Sequence, residues 1–283
     1  MDILFYSIPV FLSMILTEVL ISYTTSKDNY NILDTVSSLS IGAGNFVIEF
    51  VGHLTFSYIF QNHFKNSFQI LFNITPNFNT YFVLFLLDDL TFYWFHRLSH
   101  ECRLLWASHV VHHSSDKYNL STALRQSWTG FIFSPFIFIW LNILGFPSEM
   151  LTVARSVSLI YQFWIHTELI ENMGVWFEYI FNTPYHHRIH HASNTEYLDC
   201  NYGGILIIWD RLFKTIKTQN SEIKYGITKQ IDPNQKYTYN PLKIAFHEWI
   251  NMFSDLEKAK NIRDKFNYVF RGPGWESHSS TKT

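Results

Sequence analysis

Long apolar blocks separated by short polar stretches run through this chain from Ile3 to His166. A helix needs about 20 predominantly apolar residues to cross the hydrocarbon layer of a bilayer. Blocks of that order stand at about 3–23, 36–60, 79–97, 128–146 and 150–166. The expected fold is therefore all-α: one integral membrane helical bundle of about four to five membrane helices, spanning residues 1–283 as a single domain. Composition agrees, because charged residues make up only 16% of the chain and aromatic residues 18%, whereas soluble domains carry about 25% charge.

The first block lacks the basic leader and small-residue cleavage site of a signal peptide, so it reads as a retained helix interrupted by Glu18. The second begins with Gly42 and Gly44, small residues of the kind that let membrane helices approach closely, and carries Glu49 and His53. The third contains Asp88 and Asp89, a costly pair in a membrane unless something demands it. Gly145 and Pro147 mark a turn between the last two blocks, which read as a hairpin that enters the membrane and returns. From 203 to 283 the sequence turns polar and irregular and reads as a short cytosolic tail.

Fourteen histidines are the second strong signal. His96 and His100 stand at i, i+4 and share a helix face. His109, His112 and His113 form an HxxHH unit, and His187, His190 and His191 form another, with His186 just before it. His166 stands alone at the end of the returning hairpin. Three crossings precede the first histidine segment, and the hairpin returns the chain to the same side for the second. Arg97, Arg103, Lys117, Arg125, Arg188 and Arg211 flank both segments, which puts them in the cytosol by the positive-inside rule. His53, His63, His247 and His278 lack such spacing and read as ordinary packed or exposed residues.

Nine converging imidazoles are too many for one ion but suit two ions that each keep an open position. Neutral nitrogen ligands suit zinc, copper, iron and nickel alike. A structural zinc site takes four ligands and usually thiolates, and neither Cys102 nor Cys200 has ligand spacing. A metallohydrolase of the inverzincin kind needs a glutamate within its motif, and neither HxxHH unit has one. No GxSxG elbow supports a serine nucleophile. A transporter wants ligands at the bilayer midplane, whereas these lie at helix ends on one side. The formal charge of −2 argues against a nucleic-acid partner. A metal pair beside a membrane points to oxidation of a lipid.

The order HxxxH, HxxHH, a lone His, then HxxHH resembles the fatty acid hydroxylase and sterol desaturase superfamily of membrane di-iron enzymes. The text between the histidines is similar to its alkylglycerol (glyceryl-ether) monooxygenase branch. The matching stretches include YWFHRLSHE (Tyr93 to Glu101), HHSSDKYNLSTALRQS (His112 to Ser127), YQFWIHTE (Tyr161 to Glu168) and NTPYHHRIHHASN (Asn182 to Asn194). They continue with NYGGILIIWDRLF (Asn201 to Phe213), YGIT (Tyr225 to Thr228) and GPGW (Gly272 to Trp275).

The resemblance implies two iron ions held by His96, His100, His109, His112, His113, His166, His187, His190 and His191, with His186 either a tenth ligand or a partner of one. It implies that Asp89 orients an imidazole, and that Asn119, Ser121, Thr122, Arg125 and Gln126 line a polar mouth for glycerol or cofactor. It further implies dioxygen as co-substrate, a tetrahydrobiopterin reductant or another electron donor, and a lipid substrate drawn from the bilayer. The reaction implied is hydroxylation of the carbon beside the ether oxygen of an alkylglycerol, giving a fatty aldehyde and a glycerol derivative. Hydroxylation or desaturation of a sterol or fatty acyl chain is the alternative within the superfamily, and a non-catalytic metal-binding membrane protein the alternative outside it. The implied location is the endoplasmic reticulum membrane for a eukaryotic source and the inner membrane for a bacterial one.

Overall fold

The computed structural model describes residues 3–59, 71–227 and 238–277. Among these the chain is helical, with one isolated bridge between Phe181 and Leu206. Three long helices come first: α1 (Ile3–Thr24), α2 (Ile32–Ile59) and α3 (Phe78–Glu101). The shorter α4 (Arg103–His113), α5 (Ser134–Leu144), α6 (Ser148–Trp164), α7 (Val175–Ile180), α8 (Pro184–His190) and α9 (Ile208–Phe213) follow. Two C-terminal helices, α10 (Pro241–Lys258) and α11 (Ile262–Phe270), complete the described chain.

Local signals explain the boundaries. Asn77 and Thr80 form a capping box that starts α3, satisfying two of the backbone N–H groups left free at a helix N-terminus. The helix then runs unbroken through His96 and His100, so both project from one face. Gly145, with φ of 114°, ends α5 in the left-handed conformation that only glycine adopts at little cost. Pro184 sits in the first turn of α8, where its missing N–H costs nothing.

One helix segment among the described residues, Tyr6–Thr24, is long and apolar enough to cross a membrane by itself. Of the four to five membrane helices expected, one meets that criterion of length and composition among the described residues. In α2 the polar residues Asp34, Asn45 and Glu49 dilute the apolar character, and in α3 Asp88, Asp89 and the two histidines do so. The block expected at 128–146 is divided: a 3-10 turn at Gly130–Ile132 precedes an α5 of 11 residues. Such a helix rises about 16 Å, about half the thickness of a bilayer core. The tail expected to be irregular instead folds into α10 and α11. Asn240 caps the first of these through the N–H groups of Leu242 and Lys243, and Pro241 occupies its first turn.

Packing brings these elements around the histidines. Phe11 and Ile15 of α1 meet Leu120, Ala123 and Phe163, with the Phe11 and Phe163 rings stacked at 3.9 Å. Leu84 of α3 packs with Phe138, Leu141, Phe146 and Met150 of the hairpin. Gly42 lets α2 approach the backbone at Leu124, where an added Cβ would lie 2.7 Å from the carbonyl oxygen. Arg103 fastens the C-terminal pair to α4: its guanidinium donates to Glu248 at 2.7 Å and Asp255 at 2.8 Å, and its backbone N–H donates to the Arg271 carbonyl. His63 and His278 lie outside the described residues, as does the ring of His53.

Candidate metal centre

The two HxxHH units and the i, i+4 pair are delivered by α3, α4 and α8, and His166 by the turn after α6. The structure sorts nine histidines into two groups. His96, His100, His109, His113 and His190 form one, and His112, His166, His187 and His191 the other; within each, one ring nitrogen per residue lies within 4.8 Å of all the others. Nearly all of these side chains are buried. Among the described residues no cysteine or carboxylate joins either group.

Hydrogen bonds fix which nitrogen faces inward. Nδ1 of His96 lies 2.8 Å from the Tyr202 carbonyl, that of His190 2.7 Å from Cys200, that of His166 2.6 Å from Gln162, and that of His112 3.3 Å from Arg125. A carbonyl only accepts, so each Nδ1 carries the proton and each Nε2 is left bare. This is the second contact that orients a metal-binding imidazole.

The arrangement fits metal ions. Nε2 of His112 and Nε2 of His166 face each other at 3.1 Å, although both protons are committed to carbonyls on the far side of the rings. Two facing lone pairs repel unless a cation lies between them. Two nitrogens each about 2.1 Å from one ion and at right angles stand about 3.0 Å apart. The close pairs His187–His166 at 3.0 Å, His96–His109 at 3.1 Å and His113–His109 at 3.2 Å share that spacing. The buried Nε2 atoms of His100, His190 and His191 have no hydrogen-bond partner, and a buried polar atom left so costs about 1–3 kcal/mol. One ion in each group would satisfy all three, His100 and His190 in the first and His191 in the second.

Electrostatics prepare the rings for this role. Burial holds the imidazoles of His109, His112, His113, His187, His190 and His191 well below the usual histidine range, and neighbouring histidines reinforce the effect in each. They are neutral at pH 7, the form that binds metal.

His186 stands outside both groups. Its Nδ1 lies 3.2 Å from the Thr183 hydroxyl, and burial lowers its pKa to about 4. His247, as expected, is also elsewhere, with Nδ1 against the Ile244 carbonyl. Asp89 touches no imidazole. Its carboxylate accepts from the backbone N–H groups of Ile205 and Leu206 and from the indole of Trp209, so it anchors the segment whose Tyr202 carbonyl holds His96.

The expected polar mouth is a sealed loop instead. Asn119 is fully buried and donates to the Asn29 carbonyl, and Thr122 donates to the Lys117 carbonyl. Ser121 bonds to the Asn119 side chain. Arg125 pairs with Asp34 at 2.9 Å, both without solvent exposure. Only Gln126 is exposed, and its amide turns back to the Ala123 carbonyl. These hydrogen bonds run within the loop and to Asn29 and Asp34, and the loop supports His112 through the Arg125 carbonyl.

The opening lies elsewhere. A cavity of about 540 Å³ is lined by His100, His113, His190 and His191 together with Trp106, Asp199, Arg271 and the Gly272–Trp275 turn. Sequence reasoning did not single out Trp106 or Asp199, and the carbonyls that orient the rings carry no residue signature at all.

The Fatty acid hydroxylase family profile matches residues 81–215, which contain all nine histidines. Human alkylglycerol monooxygenase is 37% identical over 273 residues, covering 94% of this chain and 58% of the relative. The alkylglycerol monooxygenase of Danio rerio is 38% identical over 272 residues with the same coverage. An ornithine lipid hydroxylase, OlsE of Rhizobium tropici, is 30% identical over 142 residues, or 49% of this chain and 43% of the relative. The chain thus spans about 58% of the length of the alkylglycerol monooxygenases from these vertebrates. No solved structure matches it significantly.

Proposed function

We propose that this chain, whose residues 81–215 match the Fatty acid hydroxylase family profile, is a membrane monooxygenase of that family whose nine histidines hold two iron ions and which cleaves alkylglycerol ether lipids. The observation that carries this reading is the pair of histidine groups, five and four, with bare nitrogens turned inward. Bound iron would supply the oxidising power, from dioxygen and two electrons, to hydroxylate the carbon beside the ether oxygen. The product at that carbon is a hemiacetal, which falls apart to a fatty aldehyde and a glycerol derivative. Tetrahydrobiopterin is the proposed source of the electrons.

The chain's own residues hold and orient. The carbonyls of Tyr202, Cys200, Gln162 and Arg125 keep His96, His190, His166 and His112 in the tautomer that offers Nε2. The cavity beside the five-histidine group is the approach for substrate, bounded by Trp106 and Trp275. The lipid context rests on α1. Most of its apolar span is uncovered, with Val10, Leu16 and Leu20 each more than half exposed, whereas a soluble core helix would bury such residues. The basic residues beside the histidine segments support a site on the cytosolic face of that membrane.

Purified protein assayed on an alkylglycerol, with and without tetrahydrobiopterin, tests the substrate and donor together. Turnover that needs both, with fatty aldehyde as product, is expected. Turnover of a sterol or acyl chain in its place would move the assignment to another branch of the family.

A further inference from the structure

Glu18 is a carboxylate buried in α1, the apolar helix, and the metal groups do not include it. Its Oε2 accepts from the Tyr30 hydroxyl at 2.5 Å and from the backbone N–H of Leu120 at 2.8 Å. Its Oε1 accepts from the Thr167 hydroxyl, which itself receives the N–H of Leu169. Three chain segments therefore meet on one side chain: the connection between α1 and α2, the loop that follows α4, and the turn that follows α6.

Two of these segments serve the four-histidine group. Thr167 immediately follows His166. Leu120 lies in the loop that ends at Arg125, whose carbonyl receives His112 Nδ1. The five-histidine group hangs on other supports, the Tyr202 and Cys200 carbonyls, and has no bond to Glu18. Leu120 also belongs to the apolar cluster with Phe11, Ile15, Ala123 and Phe163, and the Glu18 and Thr167 side chains are buried.

We propose that Glu18 is a positioning residue for the four-histidine group, joining the loop that orients His112 to the turn that carries His166. The inference rests on the dimetal reading above. Losing contacts that orient metal ligands typically costs 10–100-fold in metal affinity, and here the loss falls on one ion of two.

The test is metal retention. Wild type, Glu18→Leu, Glu18→Gln and Thr167→Val, each loaded with enriched iron, are dialysed against graded chelator. Iron per chain is counted, and the Mössbauer spectrum is recorded. In Glu18→Leu one of the two ions should bind at least tenfold more weakly, with the spectrum of the remaining ion unchanged. Thr167→Val, which removes one of the three hydroxyl or amide donors at nearly equal volume, should weaken the same ion by less. Glu18→Gln keeps an acceptor oxygen and can donate to Thr167, so it should stay close to wild type. If Glu18→Leu does not accumulate, Thr167→Val decides. Both ions held equally tightly in every variant that accumulates, or both lost in parallel from Thr167→Val, would overturn the assignment of Glu18. A wild-type chain that never holds a second ion would refute the dimetal reading itself.

Discussion

The five-histidine and four-histidine groups lie side by side, yet they are built differently. The first draws on α3, α4 and α8, takes its orientation from the carbonyls at 200 and 202, and faces the cavity. The second draws on α4, α8 and the turn after α6, and lies under α1 and the sealed loop. Only His191 of the second group lines the cavity, against three members of the first. On the proposed function the two have separate duties: the first group meets what enters the cavity, and the second is held by α1 and the sealed loop.

The same comparison explains the HxxHH unit. Consecutive residues on a helix project about 100° apart. His113 therefore points into the first group while His112 points into the second, and His190 and His191 divide in the same way. Each HH pair straddles both groups, so α4 and α8 would fix the separation of the two proposed ions as well as the ligands of each. The stacked rings of His113 and His191, 4.3 Å apart at 23°, mark where the groups adjoin.

The largest effect should come from removing one ligand of either group. His109→Ala and His187→Ala should each lower turnover by more than 100-fold, beyond the 10–100-fold cost of losing a supporting contact, while protein still reaches the membrane. Each should also lose its own ion first. Simultaneous loss of both ions from either variant would break the division into two groups.

Acid should act on both groups together. Their buried imidazoles have pKa values below the unfolded value of about 6.5, so between the two values the unfolded chain binds more protons and stability rises with pH. The stabilisation is complete above about pH 6.5 and is lost as pH falls through the depressed values. His186, lowered to about 4, sets the scale for one such ring outside the groups. Thermal unfolding of metal-free protein should give a slope below pH 6.5 steeper than one proton's worth, about 1.4 kcal/mol per pH unit. A flat profile would mean that the rings are charged in the folded state.

Asp89→Asn should act on the first group alone. It replaces an oxygen that receives N–H donors by an NH2 that repels them, loosening the 202–206 segment behind His96. A loss of about tenfold in turnover is expected, with the second ion undisturbed. Equal disturbance of both ions would show that Asp89 serves the fold as a whole. The smallest effects belong to His186→Gln and His247→Ala, which should keep both ions and most of the activity because neither ring enters a group. Loss of an ion from His186→Gln would add it to the site after all.

Much of this was readable from residue order. Ligand spacing survives folding because a helix converts i, i+3 and i+4 into one face, and nine of the ten candidate histidines converge. The tenth, His186, differs from His187 by one position, a rotation that only the register of α8 decides. The supporting contacts were not readable, since a carbonyl looks the same at every residue. The family resemblance points to Asp89, Asn119, Thr122 and Arg125, but a polar residue at a matching position does not distinguish a ligand-facing group from one spent on the backbone or on another side chain. Apolar blocks located α1, α2, α3 and the α5–α6 hairpin. Apolarity is blind to the 3-10 turn that shortens α5, and the irregular look of the tail hid the cap at Asn240 that starts α10.

The central claim, two ions held by nine nitrogens, is tested most directly by counting metal in wild-type protein from iron-replete cells and recording its iron X-ray absorption. About two iron ions per chain, with a coordination shell dominated by nitrogen, is the predicted result. One ion or none, in protein that still turns over substrate, would contradict it.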